Sequence, residues 1–155
     1  MEIYCLPEFL IEFKKLKSKK PYRSLEKDII TYFFDPKKTE SLHFQSGTNL
    51  NNSITTPYIK KRLNGSGGYR FYFLLLIKDE KIYLLFVHPK SGPDGAENIT
   101  DESKAELYKK VLLAIESENY LKVSCDKERN QLTFSPLLEI NKIETPDEQP
   151  PRNNR

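Results

Sequence analysis

The chain is poor in the residues that cross-link small extracellular domains through disulfides or that bind metal ions. Its 155 residues include two cysteines, Cys5 and Cys125, and two histidines, His43 and His88. Two isolated cysteines exclude a disulfide framework, and a buried thiol is the ordinary interpretation of Cys5. The four side chains lack any spacing typical of metal ligands, so we expect neither a metal nor another cofactor.

Long apolar runs are also absent. No stretch approaches the length of a membrane-spanning helix, and the first residues lack the basic start and apolar segment of a secretion signal. We therefore expect a cytoplasmic protein with no membrane partner. A hydrophobic share of 37%, with nine Tyr and nine Phe, suffices for one domain with a real core.

Net charge is small and unevenly distributed. The 25 basic and 22 acidic side chains give +3, which by itself does not indicate nucleic acid binding. Acidic residues concentrate after residue 94, whereas basic residues cluster early and in the centre, which allows an anionic partner on one side. For the early cluster we favour the solvated surface of a helix. Its members are Lys14, Lys15, Lys17, Lys19, Lys20 and Arg23.

The first third of the chain predicts one strand and a helical hairpin. Residues 2–6 are strand-like, and apolar residues recur at helical spacing on both sides of Pro21. Asp35-Pro36 ends the second helix, because the residue before proline disfavours the α conformation. Residues 37–57 are rich in Ser, Thr and Asn, and we interpret them as a long loop with a brief strand at 42–44.

Residues 58–90 predict a meander of three antiparallel strands. Three glycines between residues 64 and 68, and Asp79-Glu80 further along, supply the two turns. The second and third strands are almost wholly apolar or aromatic, so both of their faces are expected to be covered.

The polar exceptions in this meander lie near strand ends. Lys60 and Arg62 share one face of the first strand, and Arg70 opens the second on the same face as Tyr72. His88 and Lys90 close the third strand. Hairpin topology brings these ends together, so basic residues from three strands are expected to converge.

The rest of the chain predicts a helix capped by Thr100, a hairpin around a polar turn at 126–130, and a disordered tail. We divide the chain into a main domain at 1–118, a C-terminal extension with a hairpin at 119–144, and the tail at 145–155. The expected fold class is α+β: strand, helical hairpin, three-stranded antiparallel meander and helix, with an added C-terminal hairpin.

This element order, together with Lys60-Lys61-Arg62-Leu63 and Ser66-Gly67-Gly68-Tyr69-Arg70, resembles the RelE/ParE superfamily of bacterial toxins. The resemblance covers roughly residues 2–115. It implies the toxin of a type II toxin-antitoxin system, neutralised by a cognate antitoxin protein. Members are ribosome-dependent mRNA endonucleases or inhibitors of DNA gyrase, and we expect the first, acting on mRNA at the ribosome.

The resemblance also implies residue roles. Arg70 corresponds to the arginine of the family's Gly-Tyr-Arg strand start, Lys60 and Arg62 to the basic residues of the preceding strand, and His88 lies near a further basic position. These four are the expected catalytic residues; Lys61, Tyr72 and Lys90 are expected to bind RNA. Cleavage without a metal uses the 2′-hydroxyl as nucleophile, so the site must exchange protons and stabilise phosphoryl charge.

Structural interpretations compete with each role. Lys60 and Arg62 are equally consistent with the solvated face of an edge strand, and a strand-end histidine bonded to backbone explains His88. Arg70 is also consistent with a surface ion pair. A non-catalytic binding module of the same fold, either a gyrase inhibitor or a protein-interaction domain, is therefore the alternative function.

Overall fold

Seven strands form one mixed sheet in the order β2-β3-β4-β5-β1-β6-β7. The computed structural model describes residues 1–63, 68–89 and 101–137. The strands are β1 (Glu2–Cys5), β2 (Thr48–Asn49), β3 (Tyr58–Leu63), β4 (Tyr69–Leu76), β5 (Lys81–Pro89), β6 (Leu121–Asp126) and β7 (Gln131–Pro136). The helices are α1 (Pro7–Lys17), α2 (Leu25–Phe33), α3 (Ser41–Phe44) and α4 (Asp101–Glu116), and a 3-10 turn at Lys20–Tyr22 joins α1 to α2. The prediction of an α+β fold with N-terminal helices and a C-terminal hairpin is confirmed.

The meander lies at the centre of the sheet. Strands β3, β4 and β5 pair antiparallel in sequence order, as predicted. Strand β1 pairs parallel with the first half of β5, from Glu2 opposite Lys81 to Cys5 opposite Leu84. Strand β6 pairs antiparallel with β1, so the C-terminal hairpin extends the same sheet.

Helices cover the sheet on both sides. Alternation along β4 sends Phe71 and Phe73 into the core under α1, α2 and α3, which we call the hairpin face. Tyr72 and Leu74 point into a second core with Val111 of α4, which we call the α4 face. The apolar composition of β4 and β5 is thus explained, because both of their faces are packed.

The prediction of a strand at 42–44 is wrong, since these residues belong to the short helix α3. Two reciprocal contacts hold α3 against α2: the Tyr32 hydroxyl donates to the carbonyl oxygen of His43 at 3.2 Å, and His43 Nε2 donates to that of Tyr32 at 3.2 Å. Phe44 is buried in the core beneath them. Side-chain bonding therefore outweighs the weak local strand preference. Residues 37–57 also contain β2, whose Thr48 pairs with Lys60.

The outer edge of β7 is tied to α2. The backbone N–H of Leu132 donates to Glu26 Oε2 at 2.9 Å, while Glu26 Oε1 lies 3.1 Å from Lys17 Nζ. One half-buried carboxylate thus links α1, α2 and the C-terminal hairpin.

Several expectations fall outside the described residues. They are the side chain of Lys90, the cap at Thr100 and the tail at 145–155. Within the described ranges, no helix has both the length and the apolar character needed to cross a membrane.

Candidate functional site

Three basic side chains face one another across the central strands. Arg62 of β3 lies opposite Arg70 of β4, and Arg70 lies opposite His88 of β5. We call Arg62, Arg70 and His88 the basic row. Side chains directly opposite on neighbouring strands have Cβ atoms about 4.5 to 5.5 Å apart, which is close enough for all three to contact one small anion.

A shift of register between β4 and β5 creates this row. From the turn onward, Leu76 pairs with Lys81 and Phe73 with Leu84, but the next pair is Tyr72 with Phe86. Leu85 is therefore the extra residue of a β-bulge. Without the extra residue, regular pairing would place Val87 opposite Arg70 and turn His88 to the other face. The bulge aims the imidazole at the arginine.

The basic row lies on the α4 face. Tyr69 and Phe71, on either side of Arg70, both point into the core of the hairpin face, so Arg70 points the other way, beside Tyr72. Arg62 is exposed, whereas Arg70 and His88 are half-buried. The row thus runs from solvent at β3 towards the interior at β5.

Arg70 has the most enclosed guanidinium position of the row. Its Nε atom is buried, so its side chain is held at the sheet instead of extending into solvent. Burial raises the pKa of the neighbouring Tyr72 phenol, and the charge of Arg70 opposes that rise. Each arginine presents a planar set of donors that matches a phosphate.

His88 lies against two aromatic rings. Its ring centroid is 6.3 Å from that of Phe86, with the planes nearly parallel at 9°, and 5.9 Å from that of Tyr72. Burial lowers the pKa of His88 from its usual 6.5, the carboxylate of Glu12 opposes this, and the charge of Arg70 lowers the pKa further. The imidazole is therefore largely neutral at pH 7 and has a lone pair that accepts a proton.

Lys60 and Tyr72 form the next row of the same face. Lys60 lies opposite Tyr72, which lies opposite Phe86. Tyr72 is only 2% exposed, so its ring supports the site from below and offers little surface for a base to stack on. Lys60 is half-buried and lies two residues from Arg62 on β3, so it adds a third cation to the two arginines.

One expected RNA-binding residue does not join this group, and another lies outside the described residues. Lys61 points to the hairpin face, where its Nζ donates to Ser46 Oγ at 3.1 Å and lies 5.7 Å from the centroid of the Tyr32 ring. Lys90 follows the last described residue of β5.

Sequence reasoning missed Glu12. This half-buried acid belongs to α1, whose Phe9 and Phe13 pack on the hairpin face, yet its carboxylate acts electrostatically on His88. Strand β1 pairs with β5 only as far as Leu84, and α1, which follows β1, also contacts β5. No local pattern in the sequence signals such a contact, because it depends on how far β5 extends past β1.

Among residues 1–63, 68–89 and 101–137, no group of three or more His, Cys, Asp or Glu side chains is arranged to hold a metal ion. In comparisons with known proteins, no protein-family model matches the chain, and no curated protein matches it.

Proposed function

We propose that this protein is an RNA endonuclease that uses the basic row to bind and cleave at a phosphate. The observation that carries the proposal is the register itself, which sets Arg62, Arg70 and His88 side by side on three strands. Two guanidinium groups directly opposite each other repel, and such pairs destabilise a sheet. A bound phosphate would offset that repulsion, because each guanidinium can donate two hydrogen bonds to its oxygens.

The same residues suit cleavage by the 2′-hydroxyl. The neutral imidazole of His88 accepts the proton of the 2′-hydroxyl as its oxygen bonds to phosphorus. The bond from phosphorus to the 5′ oxygen then breaks, and this oxygen takes a proton from the imidazolium just formed. The products are a 2′,3′-cyclic phosphate and a 5′-hydroxyl end. Arg70 and Arg62 stabilise the charge that builds on the phosphoryl oxygens during the reaction, and Lys60 adds to the field.

The biological setting that we propose is the toxin of a type II toxin-antitoxin system acting on mRNA at the ribosome. Support comes from the basic strand followed by Gly68-Tyr69-Arg70, and from a strand, helical hairpin and antiparallel meander in that order. The partner is a cognate antitoxin that covers the exposed end of the basic row. Acidic side chains on that antitoxin would neutralise the same guanidinium groups that bind phosphate.

Expression of the chain alone in a bacterial host tests this function. We expect growth to stop and incorporation of labelled amino acids to fall before incorporation of labelled thymidine. Cleaved mRNA recovered from ribosomes should end in a cyclic phosphate. Blocked replication with continuing protein synthesis would instead indicate a gyrase inhibitor of the same fold.

An apolar groove favours a second candidate, the non-catalytic protein-binding module. It has a volume of about 400 Å³ and lies between the start of α1 and the ends of β6 and β7, where it is lined by Leu10, Ile11, Tyr120, Leu121 and Pro136. Ile11 is 64% exposed, which is unusual for a large apolar side chain beside a groove. If the groove carries the function, Ile11→Asp should abolish the growth effect and Arg70→Ala should leave it intact.

A further inference from the structure

The most uneven charge in the molecule lies on the helical hairpin, away from the basic row. Residues 14–27 contain seven Lys or Arg and a single acid, Glu26, which gives this stretch a net charge of +6. The whole chain carries +3, so everything outside this stretch is net negative. Such a separation produces a strong local field without a high overall charge.

The structure places these charges on the outer surface of the hairpin. Phe13, Leu16, Tyr22 and Leu25 turn inward and are buried in the core of the hairpin face. The basic residues between them are exposed, apart from the half-buried Lys19. We call the exposed residues of this group the hairpin patch; they are Lys14, Lys15, Lys17, Lys20, Arg23 and Lys27.

Helix stability explains only part of the hairpin patch. Lys14, Lys15 and Lys17 lie in the last turn of α1, where positive charge interacts favourably with the helix dipole. Arg23 and Lys27, however, flank the first turn of α2, where positive charge is unfavourable.

The acids of that first turn do not neutralise the patch. Glu26 is engaged with Lys17 and with the backbone N–H of Leu132. Asp28 has a buried Oδ2 atom, so its carboxylate is turned inward. Basic residues that oppose the dipole at an exposed helix start indicate a ligand that supplies negative charge.

We propose that the hairpin patch binds the phosphate backbone of RNA without regard to sequence. Protein interfaces are built around an apolar or aromatic centre, and membrane-surface helices need an exposed apolar face. The stretch 14–27 has neither, because its large apolar side chains, Leu16, Tyr22 and Leu25, are buried under the patch. Phosphate contacts need only exposed cations, and they position an RNA without reading its bases.

The patch and the basic row lie on opposite faces of the sheet, so they would bind different segments of a large RNA. This inference goes beyond the proposed cleavage and does not require it. Binding at the patch is therefore measured with a 2′-O-methylated RNA hairpin, which lacks the nucleophilic hydroxyl and stays intact whether or not the protein is a nuclease.

The test compares two triple variants of the full chain with equal net charge. The first is Lys20→Ala, Arg23→Ala and Lys27→Ala, which removes the three basic residues of the patch that lie outside the last turn of α1. The control is Lys78→Ala, Lys109→Ala and Lys127→Ala, which removes three exposed lysines from other surfaces. Circular dichroism melts show whether each variant is folded, and Lys20→Arg with Lys27→Arg keeps the charge if the alanine triple does not fold.

We expect the patch triple to bind the RNA hairpin about tenfold more weakly at 0.1 M salt, with a slope of log K against log salt that is smaller by about 2, whereas the control triple binds like the parent. The double arginine variant should also bind like the parent. Equal losses in both triples would show that only total charge matters, and unchanged binding in the patch triple would show that the patch is a solvated surface. Either result overturns the proposal, as would loss of binding to phosphatidylglycerol vesicles with RNA binding unchanged. Binding of the 2′-O-methylated RNA hairpin is scored without any cleavage, so this proposal and the proposed nuclease activity fail separately.

Discussion

Two rows of side chains on the same face of the same three strands differ in composition and in burial. Tyr58, Leu74 and Tyr83 lie opposite one another on β3, β4 and β5 and are at most 3% exposed. Tyr108 and Val111 of α4 cover this apolar row, with the rings of Tyr58 and Tyr108 6.0 Å apart. Four residues further towards the start of β4, about 13 Å away, the basic row begins with Arg70.

Within one sheet, the apolar row contributes to stability and the basic row carries the proposed chemistry. The apolar row gains free energy from burial, while the basic row places like charges side by side where apolar residues would pack. Under the proposed function, a bound phosphate offsets this cost at the basic end of the sheet. If the two rows are independent, a substitution in one row leaves the role of the other intact.

The largest expected effect is on stability, from the apolar row. Leu74→Ala removes a side chain that is 1% exposed between two tyrosines, and such truncations cost about 2 to 5 kcal/mol of unfolding free energy. Urea titration of the variant should show a lower midpoint with an unchanged slope. Cleavage measured per folded molecule should stay close to that of the parent; a loss of more than tenfold would mean that the two rows are coupled.

Arg70→Ala should produce the reverse pattern. Loss of a group that stabilises charge mainly in the transition state costs about 3 kcal/mol, or roughly a hundredfold in cleavage rate. The midpoint of urea unfolding should change little, because removal of the Arg70 charge also relieves its repulsion with Arg62. Arg70→Lys is the matched control, since it keeps the charge and loses the planar fork. A lysine variant with full activity would exclude a bidentate role, and an unfolded alanine variant would assign Arg70 to the structure instead.

A smaller effect on the free energy of unfolding is expected from the protonation of His88. Since folding lowers its pKa, the unfolded chain binds more protons than the folded one between the two pKa values. The stabilising contribution of the neutral imidazole is therefore complete above about pH 6.5 and is lost as pH falls through the lowered folded pKa. Unfolding free energies from pH 8 to pH 5 should fall more in the parent than in His88→Asn. Equal pH dependence in the parent and in His88→Asn would show that His88 is not held in its neutral form by burial.

Cleavage should follow the same ionisation. A general base works only when it is deprotonated. As pH falls, the cleavage rate should therefore stay constant to below pH 6.5 and should decline only when the pH drops below the lowered pKa of His88. A rate that declines already at pH 7 would contradict the buried, neutral imidazole.

The smallest effect concerns Glu12. Its carboxylate raises the pKa of His88 against the effect of burial, so Glu12→Gln should lower that pKa further. Proton NMR titration of the imidazole measures this without any substrate. The matched control is Glu8→Gln on the same helix, whose carboxylate lies 3.4 Å from Lys110 on α4 and should leave His88 unchanged. Equal shifts in both variants would mean that the coupling is only a general field.

The sequence was sufficient to predict features that depend on local alternation. The strict period of Tyr58, Lys60 and Arg62 placed these side chains on one face, and the apolar runs after Arg70 indicated strands packed on both sides. Gly68, with φ of 75°, has the positive φ that glycine accepts. Residues 64–67, the rest of the expected connection, lie outside the described residues.

Features that depend on register or on distant contacts could not be predicted. Counting outward from the turn at Asp79 would pair Arg70 with Val87, and only the extra residue at Leu85 brings His88 opposite it. The position of Glu12 beside the end of β5 depends on the short length of β1. Helix α3 at 41–44 depends on reciprocal bonds between Tyr32 and His43, which lie eleven residues apart.

The bond between Glu26 and the backbone of Leu132 has a consequence for how this sheet ends. Strand β7 is neutral along its length, Gln131 to Pro136, so it has no lysine to discourage another chain from adding a strand. Glu26 occupies the outward N–H of Leu132, and Pro136 has no N–H to offer. Since Glu26 is 106 residues away in the chain, this protection exists only once α2 has docked on the hairpin. A nascent chain that has made its C-terminal hairpin before the helices settle would therefore leave the N–H of Leu132 open to pairing with another chain, and the folded protein would not.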